Sequence, residues 1–127
     1  MAAILCAHYA DEWGYELAPI PFVEPAKNRK YTPDFWLANG IIIETKGRWT
    51  RADRLKMRMI REQHPDLDIR MLFSNARARI SKTSKTTYAA YAESIGYEWA
   101  HKVVPFGWLD AEPEATRVAA MNALIGG

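Results

Sequence analysis

Three consecutive isoleucines, Ile41, Ile42 and Ile43, form a short apolar run that reads as a buried strand over residues 41–46. Upstream, residues 31–37 predict a second strand, and Ala38-Asn39-Gly40 between them carries the Asn-Gly turn signal. Strand side chains alternate faces, so Glu44 and Lys46 point one way and Thr45 the other. A three-residue loop sets Leu37 opposite Ile41 and Asp34 opposite Glu44. A two-residue loop would pair Phe35 with Glu44 instead. The three-residue loop also gathers Phe35, Leu37, Ile41 and Ile43 on one apolar face, which favours it.

The flanking pattern alternates helix and strand. Residues 2–13 have helical spacing through Leu5, His8, Tyr9 and Glu12, with Gly14 as the stop. Residues 15–23 alternate like a strand but contain Pro19 and Pro21. That predicts either an ordinary irregular edge strand or an extended arm whose Ile20, Phe22 and Val23 need cover, which a second subunit's sheet could supply. Residues 24–30 read as a loop. Thr50 is an N-cap with Asp53 three residues on, opening a helix over 51–64 that Pro65 ends. Its buried side is expected at Ala52, Leu55, Met59 and Ile60, and its basic side at Arg51, Arg54, Arg58 and Arg61. Residues 69–73 predict a buried strand parallel to 41–46 through a helical crossover. A helix over 87–95, a strand over 97–104, a turn through 105–108 and a helix over 116–125 complete an α/β domain.

Composition narrows the class. The chain has 127 residues, 49% hydrophobic and 25% charged, the balance of one soluble globular domain. The N-terminal apolar run is brief and lacks a basic leader, so neither signal peptide nor membrane span is expected. Cys6 is alone, which excludes an internal disulfide framework and suits a reducing cytoplasm. The net charge of +2 conceals a division. Residues 46–85 hold 12 Lys and Arg against four acids, while the flanks are net acidic. A basic middle of this kind meets a polyanion. Residues 74–86 carry Arg77, Arg79, Lys82 and Lys85 among five Ser and Thr and no acid, the composition of a phosphate-contacting loop. Arg48, Arg51 and Arg54 extend the same basic surface.

Candidate chemistry converges on the central hairpin. Asp34 and Glu44 side by side repel unless a cation neutralises them, and a hard divalent cation such as magnesium does so through oxygen ligands. Lys46 can orient or help deprotonate an attacking water and offset charge on a phosphate. Pro33-Asp34, nine residues, then Glu44-Thr45-Lys46 is similar to the signature of the restriction-endonuclease-like nucleases.

A longer resemblance covers residues 14–109. The runs YTPDFWLANGIIIETKGRW, IREQHPDLDIRMLFSNARARI and TYAAYAESIG resemble the phage endonuclease I family of Holliday-junction resolvases. The resemblance implies a restriction-endonuclease-like α/β core with a mixed central sheet flanked by helices. It implies an intertwined, strand-swapped homodimer bridged by residues 15–30, with the catalytic core at 31–109 and a C-terminal tail at 110–127. The implied activity is Mg2+- or Mn2+-dependent cleavage of four-way junctions and other branched DNA in the host cytoplasm, with no nucleotide cofactor and no membrane partner. By position, Asp34 and Glu44 match the family's metal carboxylates and Lys46 its catalytic lysine. Thr45 would lend a main-chain carbonyl to the metal, and Glu16 falls near a further catalytic glutamate. The family's first-helix glutamate would lie ahead of Met1, with Asp11, Glu12 and Glu16 the nearest acids here. Two alternatives stay open: a related nuclease of nicked, mismatched or linear duplex, and an inactive branched-DNA-binding module.

Overall fold

The computed structural model describes residues 13–24 and 27–126. The helix expected over residues 2–13 lies outside these, apart from Trp13, which opens a strand. Five strands build one mixed sheet in the order β1 (Trp13–Tyr15), β4 (Phe35–Leu37), β5 (Ile41–Lys46), β6 (Asp68–Phe73), β7 (Glu98–His101). The β1, β4 and β5 strands run antiparallel, while β5, β6 and β7 are parallel. Between β5 and β6 the chain forms α1 (Arg51–Gln63), and between β6 and β7 it forms α2 (Tyr88–Ser94). The short α3 (Phe106–Leu109) and then α4 (Ala115–Gly126) follow the sheet.

The central register is the one the apolar pattern predicts. Phe35 pairs with Ile43 and Trp36 with Ile42, so Asp34 falls opposite Glu44. One face buries Phe35, Leu37, Ile41, Ile43 and Leu72 under Val104 and Trp108. The other packs Ile42, Met71 and Phe73 against Met57 and Ile60 of α1 and Tyr88 and Ala92 of α2. Gly40 makes the turn with φ 96°, and a Cβ there would come 2.9 Å from the Val118 main-chain nitrogen of α4.

Three expectations are corrected. The strand expected over 31–37 is broken at residues 32–34, leaving Tyr31 in a separate element. Of the two readings of residues 15–23 the edge strand is found, as β2 (Ile20–Glu24), while residues expected as a loop form its hairpin partner, β3 (Lys27–Tyr31). Both strands of such a ribbon are edges, so Pro21 is tolerated. Ile20 and Phe22 are buried by this same chain, and only Val23 stays exposed. The hairpin is clasped to α1 by Gln63, which exchanges two hydrogen bonds with the Val23 main chain, and by His64 against the Pro21 carbonyl. Gly14 ends no described helix. It lies in β1, where an added Cβ would sit 2.1 Å from the Trp36 indole nitrogen.

Candidate active site at the end of the central strand

β5 is apolar until its last three residues, and these emerge at the carboxyl ends of the parallel strands, where open α/β sheets place their ligands. Glu44 is only 4% exposed. Asp34 stands just ahead of β4, and the two acids are laced together through the main chain. The Asp34 N–H donates to Glu44 Oε1 at 3.2 Å. Asp34 Oδ2 accepts from the Thr45 N–H at 3.0 Å and from the Thr45 hydroxyl at 2.7 Å. Each carboxylate is therefore oriented by the opposite strand.

Lys46 shares the face of Glu44, with Nζ 3.7 Å from Glu44 Oε2 and 3.6 Å from Asp53 Oδ2. Asp53 belongs to the first turn of α1, where its N–H is capped by the Thr50 hydroxyl. Burial acts to raise Asp53, but hydrogen bonding with Thr50 and the Lys46 and Lys56 ammonium groups outweigh it and hold it below the usual carboxylate range.

The charge balance at Glu44 is unfavourable. Burial, and then the Asp34 carboxylate, push Glu44 up to about 7 against the pull of Lys46. The Tyr31 hydroxyl is buried beside Glu44, and after burial itself the Glu44 carboxylate raises it most, by charge and hydrogen bonding, with Tyr97 and Asp34 adding less. Crowded, sheltered carboxylates of which one is pushed toward its neutral form fit a hard divalent cation. Asp34 and Glu44 would supply oxygen ligands, and magnesium ordinarily completes its shell with water and substrate phosphate. Among the described residues no third His, Cys, Asp or Glu joins this pair in a metal-holding group. Glu16 is brought alongside by its backbone, its N–H donating to the Asp34 carbonyl at 3.0 Å, but its side chain is exposed.

Next to Lys46 the chain turns through Gly47 and Arg48 into α1, and here a cleft of about 650 Å³ opens. Arg48, Arg51, Arg79 and Lys82 line it, with hydroxyls from Thr50 and Ser81 and no acid. The loop over 74–86 reaches this wall because its ends are pinned, Ile80 N–H to Thr86 O and Tyr88 N–H to Ala78 O. Arg77 and Lys85 are exposed but do not line the cleft.

Arg54 departs from the expected basic face. It is 8% exposed, donates to the Trp49 carbonyl at 2.7 Å and the Ile80 carbonyl at 3.4 Å, and lies over the Tyr91 ring. It lines the cleft as well, and joins its walls through those two carbonyls. The buried side of α1 is accordingly Arg54, Met57 and Ile60, with Leu55 exposed.

Sequence reasoning missed Tyr31 and gave Asp53 only a capping role. The signal for Asp53 was available, since a helix beginning five residues after Lys46 must bring its first turn near that side chain. Tyr31 had no local signal, because its hydroxyl reaches the acids only through hairpin packing. A second polar hollow, of about 360 Å³, lies at the other end of the sheet, where Asp68, Arg70, Glu98 and Arg117 neutralise one another.

A family model described as Phage endonuclease I matches residues 8–126. Endonuclease I of Escherichia phage T7 is 50% identical over 95 residues, which are 75% of this chain and 64% of that protein. Endodeoxyribonuclease 1 of Enterobacteria phage T3 is 50% identical over 94 residues, 74% of this chain and 62% of that protein. The matched part of this chain thus spans less than two thirds of either relative.

Proposed function

The chain belongs to the phage endonuclease I family, and from that premise we propose that it is a structure-selective DNA endonuclease. It hydrolyses phosphodiesters in four-way junctions and other branched DNA, acting as a homodimer on a restriction-endonuclease-like core. The observation that carries this reading is the Asp34–Glu44–Lys46 cluster at the end of β5, two residues along the chain from the Arg48 that opens the lining of an acid-free basic cleft. Carboxylates suit a cation, the lysine suits a phosphate, and the cleft suits the backbone leading to it.

Asp34 and Glu44 would hold Mg2+ or Mn2+, with the Thr45 carbonyl as a further oxygen ligand. The cation, when bound, supplies positive charge for the phosphoryl oxygens and makes water more acidic. Thr45 keeps Asp34 aimed through its two hydrogen bonds to Oδ2. Lys46, held between Glu44 and Asp53, donates to the scissile phosphate and stabilises its growing negative charge. Arg48, Arg51, Arg79 and Lys82 take flanking phosphates, which positions the DNA without reading its bases.

The test compares Mg2+-dependent cleavage of a four-way junction with that of its component duplexes. Paired cuts in the junction and little cutting of the duplexes are expected. Equal cutting of linear duplex makes the chain a general nuclease. Tight binding with no cutting leaves a DNA-binding module.

A further inference from the structure

The basic cleft is lined by two separate stretches of chain, residues 48–51 with Arg54 and residues 79–82 with Tyr88. Past Ile80 the second stretch bonds to itself, Ser84 N–H to Ser81 Oγ and Thr86 N–H to Ser84 Oγ. Among the described residues one hydrogen bond joins residues 48–54 to residues 79–86, from Arg54 Nη1 to the Ile80 carbonyl at 3.4 Å. The same nitrogen donates to the Trp49 carbonyl at 2.7 Å. Its two protons diverge within the rigid guanidinium plane, so one nitrogen can serve two carbonyls. The guanidinium carbon also lies 5.6 Å from the centre of the Tyr91 ring of α2.

The kind of partner matters as much as the number. At the other end of the sheet Arg70 and Arg117 both pair with Asp68. Arg54 is buried, yet among the described residues only neutral carbonyls and a ring hold it. A carboxylate would anchor the guanidinium as well, but would set a negative charge where a phosphate backbone has to lie. Carbonyls make the tie and leave the positive field of the cleft intact.

We infer that Arg54 is a positioning residue for DNA: through the Trp49 and Ile80 carbonyls it holds the basic loop to the start of α1, so that Arg79 and Lys82 are in place across the cleft from Arg48 and Arg51 before a phosphate backbone enters. This rests on the DNA-cleft reading proposed above. It makes Arg54 a tie between the walls and not one more phosphate contact. A loop ordered in advance spares the cost of ordering it on binding.

The test begins without DNA. The Ile80 amide donates to the Thr86 carbonyl inside the loop. In the wild type it should be protected from hydrogen exchange before DNA is added. Arg54→Lys keeps a positive charge, which serves a phosphate contact, but loses the planar fork. It should exchange about tenfold or more faster at Ile80, with the Met71 and Leu72 amides of β6 unchanged. It should also bind a four-way junction about tenfold more weakly in metal-free buffer, the scale of one hydrogen bond from a charged group. That loss should disappear in an Arg79→Ala, Lys82→Ala background, because Arg54 acts through those residues. Wild-type exchange at Ile80 or wild-type affinity in Arg54→Lys would overturn the inference. Additive losses would also overturn it, by making Arg54 a phosphate contact itself. An Ile80 amide that gains protection only with DNA would overturn it from the wild type alone, even if the variant does not fold. Wild-type protein that binds no four-way junction would sink the DNA reading, and this inference with it.

Discussion

Lys46 Nζ lies 3.6 Å from Asp53 Oδ2, which ties the lysine at the end of β5 to the first turn of α1. With Glu44 on its other side, the ammonium is held between two carboxylates of different burial, Glu44 sheltered and Asp53 partly open. Lys46→Ala should lower the cleavage rate by roughly 100-fold or more, with a smaller effect on junction binding. Asp53→Asn should lower it by about tenfold. If Asp53 acts through the lysine, Asp53→Asn costs nothing further in a Lys46→Ala background. Additive losses in that double-mutant cycle would separate the two residues.

Asp34→Asn and Glu44→Gln should each abolish cutting while leaving junction binding largely intact, because each removes a ligand and also a repulsion against phosphate. Gel-shift and cleavage assays on the same preparations check this. Either variant cutting at the wild-type rate would show that the reaction centre lies elsewhere.

The raised Glu44 also predicts a pH dependence of stability. Its folded value of about 7 lies above the ordinary 4.5, so between those pH values the folded chain binds more protons than the unfolded one. Stability without divalent cation should therefore fall as pH rises from about 4.5 to about 7, by up to about 3 kcal/mol from this group. Denaturant titrations across that window should show the decline in the wild type and its loss in Glu44→Gln. Added Mg2+ should stabilise the protein more at pH 8 than at pH 5.

The cleft distinguishes among cations that composition alone treats alike. Replacing Arg79 and Lys82 with alanine should flatten the slope of log K against log salt by about 0.9 for each lost phosphate contact on duplex arms. The exposed pair Arg77 and Lys85, which do not line the cleft, should change the slope less. Equal effects from both pairs would mean that the DNA runs along the outside of the loop.

A four-way junction presents two strands to be cut at related positions, so two-fold pairing of the chain suits the proposed activity. Light scattering at micromolar concentration should give the mass of a dimer. A stable monodisperse monomer would remove the paired-cut reading. The burial of Ile20 and Phe22 within one chain means that this pairing cannot be inferred from uncovered side chains in β2.

The centre of the site was legible because covalent geometry sets it. Once Ile41–Lys46 is a strand and the loop is three residues long, alternation leaves Asp34 and Glu44 opposite one another, with Lys46 on the face of Glu44. Nothing distant is needed for that. Other features depended on partners far along the chain. Arg54 is at home in a buried position only because the Trp49 and Ile80 carbonyls receive its guanidinium, the second of them 26 residues away. A basic residue on an amphipathic helix otherwise predicts a solvated face. Gly14 resembled a helix stop until the Trp36 indole crossed it, and residues 24–30 resembled a loop until Lys27–Tyr31 paired with Ile20–Glu24. Local periodicity reports which way a side chain points relative to its neighbours. What it meets there, and hence whether a charge is solvated or satisfied, is decided by packing between segments that the sequence keeps apart.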